Sequence, residues 1–191
     1  MALLVAGLIL FLGVHSVSIV APAWRDAQIA RHGEKPWKGL YTLVSLAGLL
    51  LLIYGYCVAR QSPVVLYTPP TALRHAALLL MVPVFPLLLA AYLPGRIQRI
   101  AKHPMLLAVK FWATAHLLAN GTLADVLLFG AFLLWAVADR ISVKRRAVPH
   151  RVPGASPAAR NDVIVVVVGL LVYAVFLLRA HLWMTGVSPL G

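Results

Sequence analysis

Six long apolar stretches fill nearly all of this chain, and each is about as long as the hydrocarbon core of a bilayer is thick. Within each stretch the apolar residues follow one another without alternating with polar ones. This pattern predicts transmembrane helices and disfavours the strands of a β-barrel. No stretch remains for a separate soluble core, so the sequence predicts a single all-α domain over residues 1–191, a polytopic membrane helical bundle. The predicted spans are Ala2–Ala21, Gly39–Val58, Thr71–Tyr92, Pro104–Ala119, Leu123–Ala138 and Val163–Trp183.

The overall composition excludes an ordinary soluble protein. Hydrophobic residues make up 62% of the chain and charged residues only 12%, whereas soluble domains have roughly 45–50% apolar and about 25% charged residues. The single cysteine, Cys57, excludes an internal disulfide and a cysteine-rich metal site.

The formal net charge of +12 is concentrated in three loops, which hold thirteen of the seventeen Lys and Arg residues. Cytoplasmic loops collect basic residues, so both termini are predicted to lie outside and these three loops inside. No basic patch is interleaved with aromatic residues, which disfavours nucleic-acid binding. The basic residues are Arg25, Arg31, Lys35 and Lys38 after the first span, Arg96, Arg99 and Lys102 after the third, and Arg140, Lys144, Arg145, Arg146, Arg151 and Arg160 after the fifth.

The start of the first span lacks the basic residues that precede a cleavable signal peptide, so we expect a permanent helix. The chain also has no organelle-type transit segment, so a bacterial inner membrane is the simplest predicted location.

Local signals predict three further features. Pro83 and Pro86 should kink the third span because proline removes a backbone donor. Thr122 and Asp125 have the spacing of a capping box at the start of the fifth helix. Asn161 is expected to be the N-cap of the last helix.

Two of the seven histidines, His15 and His116, are interpreted as lying in the membrane interior, where a polar side chain is costly and needs a reason, whereas His75 and His181 lie near the outer ends of their spans. Trp112 shares the helix face of His116. Opposed imidazoles from two transmembrane helices can hold a haem iron, and interhelical hydrogen bonding is the alternative. The expected offset between the two along the membrane normal is about 10–12 Å. His75 and His181 join His116 near the outer side, so a different ligand set stays open.

Several motifs together make the chain resemble the NnrU family over most of its length. The basic-His-Pro element followed by Ala-His thirteen residues later is the most specific of them. The family contains bacterial membrane proteins associated with nitrite and nitric oxide reduction, and also the plant zeta-carotene isomerase, a haem b enzyme. The motifs are His15-Ser16, Gly33-Glu34, Ser45, Arg99-Ile100-Ala101-Lys102-His103-Pro104, Trp112-Ala113-Thr114-Ala115-His116, Asn120-Gly121 and Asp139-Arg140.

The resemblance implies haem b, with His15 and His116 at the positions of the isomerase's haem histidines and Trp112 as a pocket neighbour. A cysteine of that branch is Ala113 here, which puts thiolate chemistry and carotenoid isomerisation in doubt. Bis-imidazole ligation leaves no open iron position, so electron transfer or haem handling is the expected role. Haem propionates could bind Arg25, Arg99 or Lys110, although Lys110 can equally pair with Asp125 or a lipid phosphate.

Two other functions stay open. A cofactor-free assembly or interaction protein for a membrane nitrogen-oxide reductase would need the histidines only for hydrogen bonds. A more distant resemblance to isoprenylcysteine carboxyl methyltransferases rests on Lys102-His103-Pro104 and on the pairs Val148-Pro149 and Val152-Pro153. The acidic pair expected there is reduced to Asp139, so methyl transfer is disfavoured. Whether the protein is an enzyme is left open.

Overall fold

The computed structural model describes residues 1–145 and 154–190. The predictions that involve Arg146, Arg151 and the two Val-Pro pairs lie outside these residues. Along the described residues the chain forms α1 (Ala2–Val20), α2 (Pro22–His32), α3 (Glu34–Ala59), α4 (Thr71–Met81), α5 (Val84–Ala90), α6 (Arg96–Ala101), α7 (Pro104–Ala119), α8 (Leu123–Arg145), α9 (Ala159–Val175), a π-helical turn (Phe176–Ala180) and α10 (His181–Thr185).

The described residues include five helical segments long and apolar enough to cross a membrane, which confirms an all-α membrane protein. The apolar α7 is shorter, at 16 residues. The second span begins earlier than predicted, at Glu34, because proline is tolerated in a first helical turn. An i,i+4 ion pair between Lys38 and Glu34, at 2.7 Å, supports that extra turn.

Contacts divide the chain into two compact units. The first unit contains Met1–Thr68 and Asn120–Arg146, and the second contains Pro69–Ala119 and Ala147–Gly191. Each is described by itself below. The prediction of one domain over residues 1–191 stays a prediction.

In the first unit α1 packs closely against α3 because glycines remove the side chains between the two backbones. A Cβ on Gly48 would lie 2.7 Å from the backbone nitrogen of Phe11. Gly7 and Gly55 face the partner backbone in the same way, at Leu52 and Leu4. Small residues commonly allow such close approach between membrane helices.

The start of α8 is joined to the end of α3 by a buried carboxylate. Asp125 is 5% exposed and accepts a hydrogen bond from the Tyr56 hydroxyl at 2.5 Å. It also accepts from the Thr122 backbone N–H at 3.1 Å, while the Asp125 N–H donates to the Thr122 hydroxyl at 3.3 Å. These last two contacts confirm the predicted capping box.

In the second unit the third span breaks between α4 and α5, at Val82 and Pro83, which confirms the predicted kink. The α9 helix packs on α5 beside this break. A Cβ on Gly169 would lie 2.6 Å from the Pro86 nitrogen. The Tyr173 hydroxyl donates to the Leu78 carbonyl at 2.8 Å, which connects α9 to α4.

The prediction that Asn161 is an N-cap is wrong, because α9 already begins at Ala159 with Ala158 as its N-cap. The buried Asn161 amide instead donates to the carbonyls of Pro94 and Ser156, at 2.8 and 3.0 Å. Buried carbonyls require hydrogen-bond donors, so these tertiary partners outweigh a local cap.

The next residue along α9, Asp162, caps a different helix. Its carboxylate accepts hydrogen bonds from the backbone N–H groups of Arg96 and Ile97, each at 2.9 Å. These are N–H groups at the start of α6, which have no partner within their own helix. The α6 helix is therefore capped from α9.

Candidate functional site

The His15 imidazole is oriented by the backbone of its own helix. Its Nδ1 lies 2.6 Å from the carbonyl oxygen of Phe11, one turn earlier in α1. Because a carbonyl oxygen can only accept a hydrogen bond, Nδ1 must carry the proton in this contact. The lone pair of the neutral ring is then on Nε2, the nitrogen that can bind a metal or accept a proton.

Aromatic rings from three helices surround His15 in the first unit. The nearest ring centroids belong to Phe11 of α1 at 4.3 Å, Tyr41 of α3 at 5.2 Å and Trp135 of α8 at 6.1 Å. Tyr41 and Trp135 meet the imidazole edge-on, at interplanar angles of 62° and 89°. The half-buried histidine therefore lies in an aromatic environment that restricts its ring.

Two polar side-chain atoms of the same unit, Trp135 Nε1 and Ser45 Oγ, are buried and form no hydrogen bond of good geometry within residues 1–145 and 154–190. The Ser45 hydroxyl nevertheless interacts with the hydroxyl of Tyr41, so the indole N–H of Trp135 is the clearer unpaired donor among these residues. Trp135 contacts His15 directly, and Ser45 lies one turn beyond Tyr41 on α3. A buried donor left unpaired costs about 1–3 kcal/mol. Trp135 Nε1 therefore offers a hydrogen bond to an acceptor group that the described residues do not supply.

His116 is held in the same manner in the second unit. Its Nδ1 lies 2.8 Å from the carbonyl oxygen of Trp112, one turn earlier in α7, so this nitrogen also carries the proton. The Trp112 indole packs beside the imidazole, with ring centroids 5.3 Å apart. The predicted neighbour relation between these two residues is therefore confirmed.

The remaining candidate residues lie in different surroundings. Arg25 is in the first unit and its guanidinium already pairs with Asp26, at 2.8 Å. Arg99 is an exposed residue of α6. The half-buried Lys110 precedes His116 by six residues, which places it on another face of α7 than Trp112. His15 and His116 lie in different units, and their joint ligation stays a prediction.

The sequence interpretation predicted Trp112 beside His116 but missed the aromatic residues around His15. Tyr41 and Ser45 have the i,i+4 spacing of one helix face, which was the available signal on α3. Trp135 offers no pattern of its own, because its contact with His15 depends on how α8 is rotated. His181, whose ring lies 6.4 Å from that of His116, was expected near the same outer side of the membrane.

The helices and the two histidines define a polytopic membrane protein with imidazoles inside its apolar segments. No group of three or more His, Cys, Asp or Glu side chains arranged for a metal ion occurs among residues 1–145 and 154–190. The family model described as NnrU protein matches residues 3–189, so the chain belongs to the NnrU family. No curated protein and no solved structure matches it.

Proposed function

We propose that this NnrU-family protein binds haem b, with His15 and His116 as candidate axial ligands. The observation that carries the proposal occurs twice: each imidazole donates its Nδ1–H to the carbonyl one turn earlier. Metal-binding histidines typically donate their second ring nitrogen to a carbonyl or carboxylate, which fixes the tautomer and the ring orientation. Both histidines therefore fit the role of ligands through Nε2.

A buried donor of the first unit supports the same assignment. Trp135 Nε1, which has no hydrogen-bond partner in the described residues, could donate to an acceptor on a ligand held beside His15. The rings of Phe11, Tyr41 and Trp135 would exclude water from the ligand. A bound haem supplies one-electron chemistry, and axial imidazoles together with the surrounding polarity set its potential.

The broader role follows from the family. We propose that the protein serves nitrite or nitric oxide reduction, together with a membrane reductase, in a bacterial inner membrane. The basic loops support a topology with both termini outside. Residue 113 is alanine, so no thiolate is available three residues before His116. Electron transfer or haem handling is therefore favoured over carotenoid isomerisation.

The test is an absorption spectrum of the detergent-purified protein, oxidised and dithionite-reduced, after expression with ample haem. We expect a Soret band with sharp reduced α and β bands, and loss or alteration of these bands in His15→Ala and His116→Ala. His75→Ala is the matched control, since His75 is exposed near the start of α4.

A folded, pure protein that shows no Soret band even after haem reconstitution would overturn the proposal. The cofactor-free assembly role would then be favoured. Bands that survive unchanged in both histidine variants would show that other residues ligate the haem.

A further inference from the structure

The helix α2 is joined to each of its neighbours by a single residue. Pro22, its first residue, has no N–H to continue the hydrogen bonds of α1, which ends at Val20. Gly33, between α2 and α3, has a φ of 89°, in the region that favours glycine. Both neighbours, α1 and α3, are long and apolar enough to cross a membrane, so α2 lies at the membrane surface.

The packing of α1 on α3 sets the direction of α2. The two helices are antiparallel, because Gly48 faces Phe11 and Gly55 faces Leu4. The same register places the end of α1 level with Gly39, so the start of α3 extends about 7–8 Å beyond α1. The 11 residues of α2 form a helix about 16 Å long. The α2 helix therefore rises by only about half its length and lies more along the membrane surface than across it.

The exposed side of α2 has the character of a membrane interface. Trp24 of α2 and Trp37 of α3 pack edge to face, with ring centroids 5.7 Å apart, and Trp24 is 53% exposed. Tryptophan is enriched where a bilayer meets water, because its ring is apolar and its N–H is polar. Ala23, Ala27 and Ala30 share one exposed face of the same helix. Helices that lie in the interface bury such an apolar face among the headgroups.

The charges of this segment leave two cations without a partner. Both carboxylates between residues 21 and 38 are already paired with a basic residue, Asp26 with Arg25 and Glu34 with Lys38. Arg31 and Lys35 are exposed and form no ion pair within residues 1–145 and 154–190. They lie at the adjoining ends of α2 and α3. Both can therefore bind an anion from outside the protein.

We propose that α2 and the start of α3 bind the headgroup of an anionic phospholipid. Arg31 and Lys35 contact its phosphate, while Trp24 and the alanine face of α2 lie at the boundary between headgroups and acyl chains. Basic residues beside a membrane helix attract anionic lipids, and the basic loops predict that this side is cytoplasmic. The occupant is a lipid rather than a soluble anion, because two spanning helices hold the site at the membrane surface and its apolar face needs cover.

The experiment measures the tryptophan fluorescence of the full-length, haem-free protein in bilayers of phosphatidylcholine with an increasing fraction of brominated phosphatidylglycerol. Bromine quenches a tryptophan that it contacts. We expect more quenching than the mole fraction of phosphatidylglycerol accounts for, and loss of this excess in Trp24→Phe. The preference for phosphatidylglycerol should fall at least fivefold in the double variant Arg31→Gln and Lys35→Gln, since each basic residue near the surface adds about a fivefold preference.

The matched control removes the same charge from the second unit. The double variant Arg74→Gln and Arg179→Gln, which changes two exposed arginines, should keep the preference. Quenching that follows the mole fraction alone in the unchanged protein would overturn the proposal, and this comparison needs no variant to fold. So would a preference that survives the Arg31 and Lys35 changes, or one that inorganic phosphate abolishes at constant ionic strength, since the ligand would then be a soluble anion. None of these residues is a candidate axial ligand and the protein is haem-free, so the outcome is separate from the Soret result.

Discussion

The two units hold their intramembrane histidines in different ways. In the first unit, His15 lies among rings from α1, α3 and α8, and the first two of these helices meet backbone to backbone at glycines. In the second, His116 lies near a helix end beside another imidazole, which is itself held by a short loop.

This difference indicates how easily the structure around each histidine can adjust to a ligand. Close-packed backbones resist displacement because interiors have few voids to absorb a shift. Helix ends and the loops after them open at lower free energy than helix cores. The surroundings of His15 should therefore be rigid, whereas the His116 and His181 pair can adjust to a ligand.

The largest loss of stability is expected for a substitution that disturbs the glycine packing between α1 and α3. Gly48→Ala places a Cβ 2.7 Å from the Phe11 backbone nitrogen, so α1 and α3 must separate. We expect the free energy of unfolding in detergent to fall by about 3 kcal/mol, the upper range for overpacking. Gly39→Ala on the same helix has no atom within 4 Å of the new Cβ and should be neutral or stabilising.

The counterpart in the second unit is Gly169→Ala, which meets the Pro86 nitrogen at 2.6 Å. We expect a smaller loss, about 1–2 kcal/mol, because the helix is already broken at Pro83 and α5 can move. Equal losses for Gly48→Ala and Gly169→Ala would contradict the proposed difference in rigidity.

Intermediate losses of stability are expected when either of the two carboxylates that join helices, Asp125 or Asp162, is removed. Asp125→Ala leaves the half-buried hydroxyl of Tyr56 without its acceptor and removes the capping box, for a loss of about 2–3 kcal/mol. Asp162→Ala uncaps α6 at a more exposed position, where water can replace the carboxylate, and should cost about 1 kcal/mol. Chemical unfolding of both variants measures the two losses. A larger loss for Asp162→Ala than for Asp125→Ala would contradict the prediction.

The smallest expected effects come from removing two hydroxyls, one in each unit. Ser45→Ala removes an oxygen that forms no hydrogen bond of good geometry in the described residues, although it interacts with the Tyr41 hydroxyl, so the free energy of unfolding of the haem-free protein should change by less than about 1 kcal/mol. Tyr173→Phe removes a 2.8 Å hydrogen bond to Leu78 and should cost about 1 kcal/mol. Thermal unfolding midpoints measure both. A loss above about 1 kcal/mol for Ser45→Ala would show that its interaction with Tyr41 is a structural hydrogen bond.

Much of the fold follows from one-dimensional patterns. The apolar stretches, the proline break near Pro83 and the Thr122–Asp125 capping box depend on residues close together in sequence. Hydropathy, backbone chemistry and spacing therefore suffice to predict them.

The site could be predicted only in part. His15, His116 and Trp112 are visible because polar or aromatic residues inside apolar segments share a helix face. Asn161 was misassigned because its partners, Pro94 and Ser156, lie outside its helix. The contact between His116 and His181 depends likewise on helix rotation and on the loop after α10, neither of which has a local sequence signal.

The order of the two units along the chain has a consequence for biosynthesis. The first unit has all its helices once α8 is made, whereas the second still lacks α9. Until then α6 lacks the Asp162 carboxylate, Leu78 lacks the Tyr173 hydroxyl, and the apolar side of α5 that α9 will cover has no protein neighbour there. Domains fold as units during synthesis. The second unit therefore cannot complete its fold while α8 is being inserted, because α9 has not yet been made. A ribosome stalled before α9 would leave the backbone N–H groups at the start of α6 and the Leu78 carbonyl without these hydrogen-bond partners.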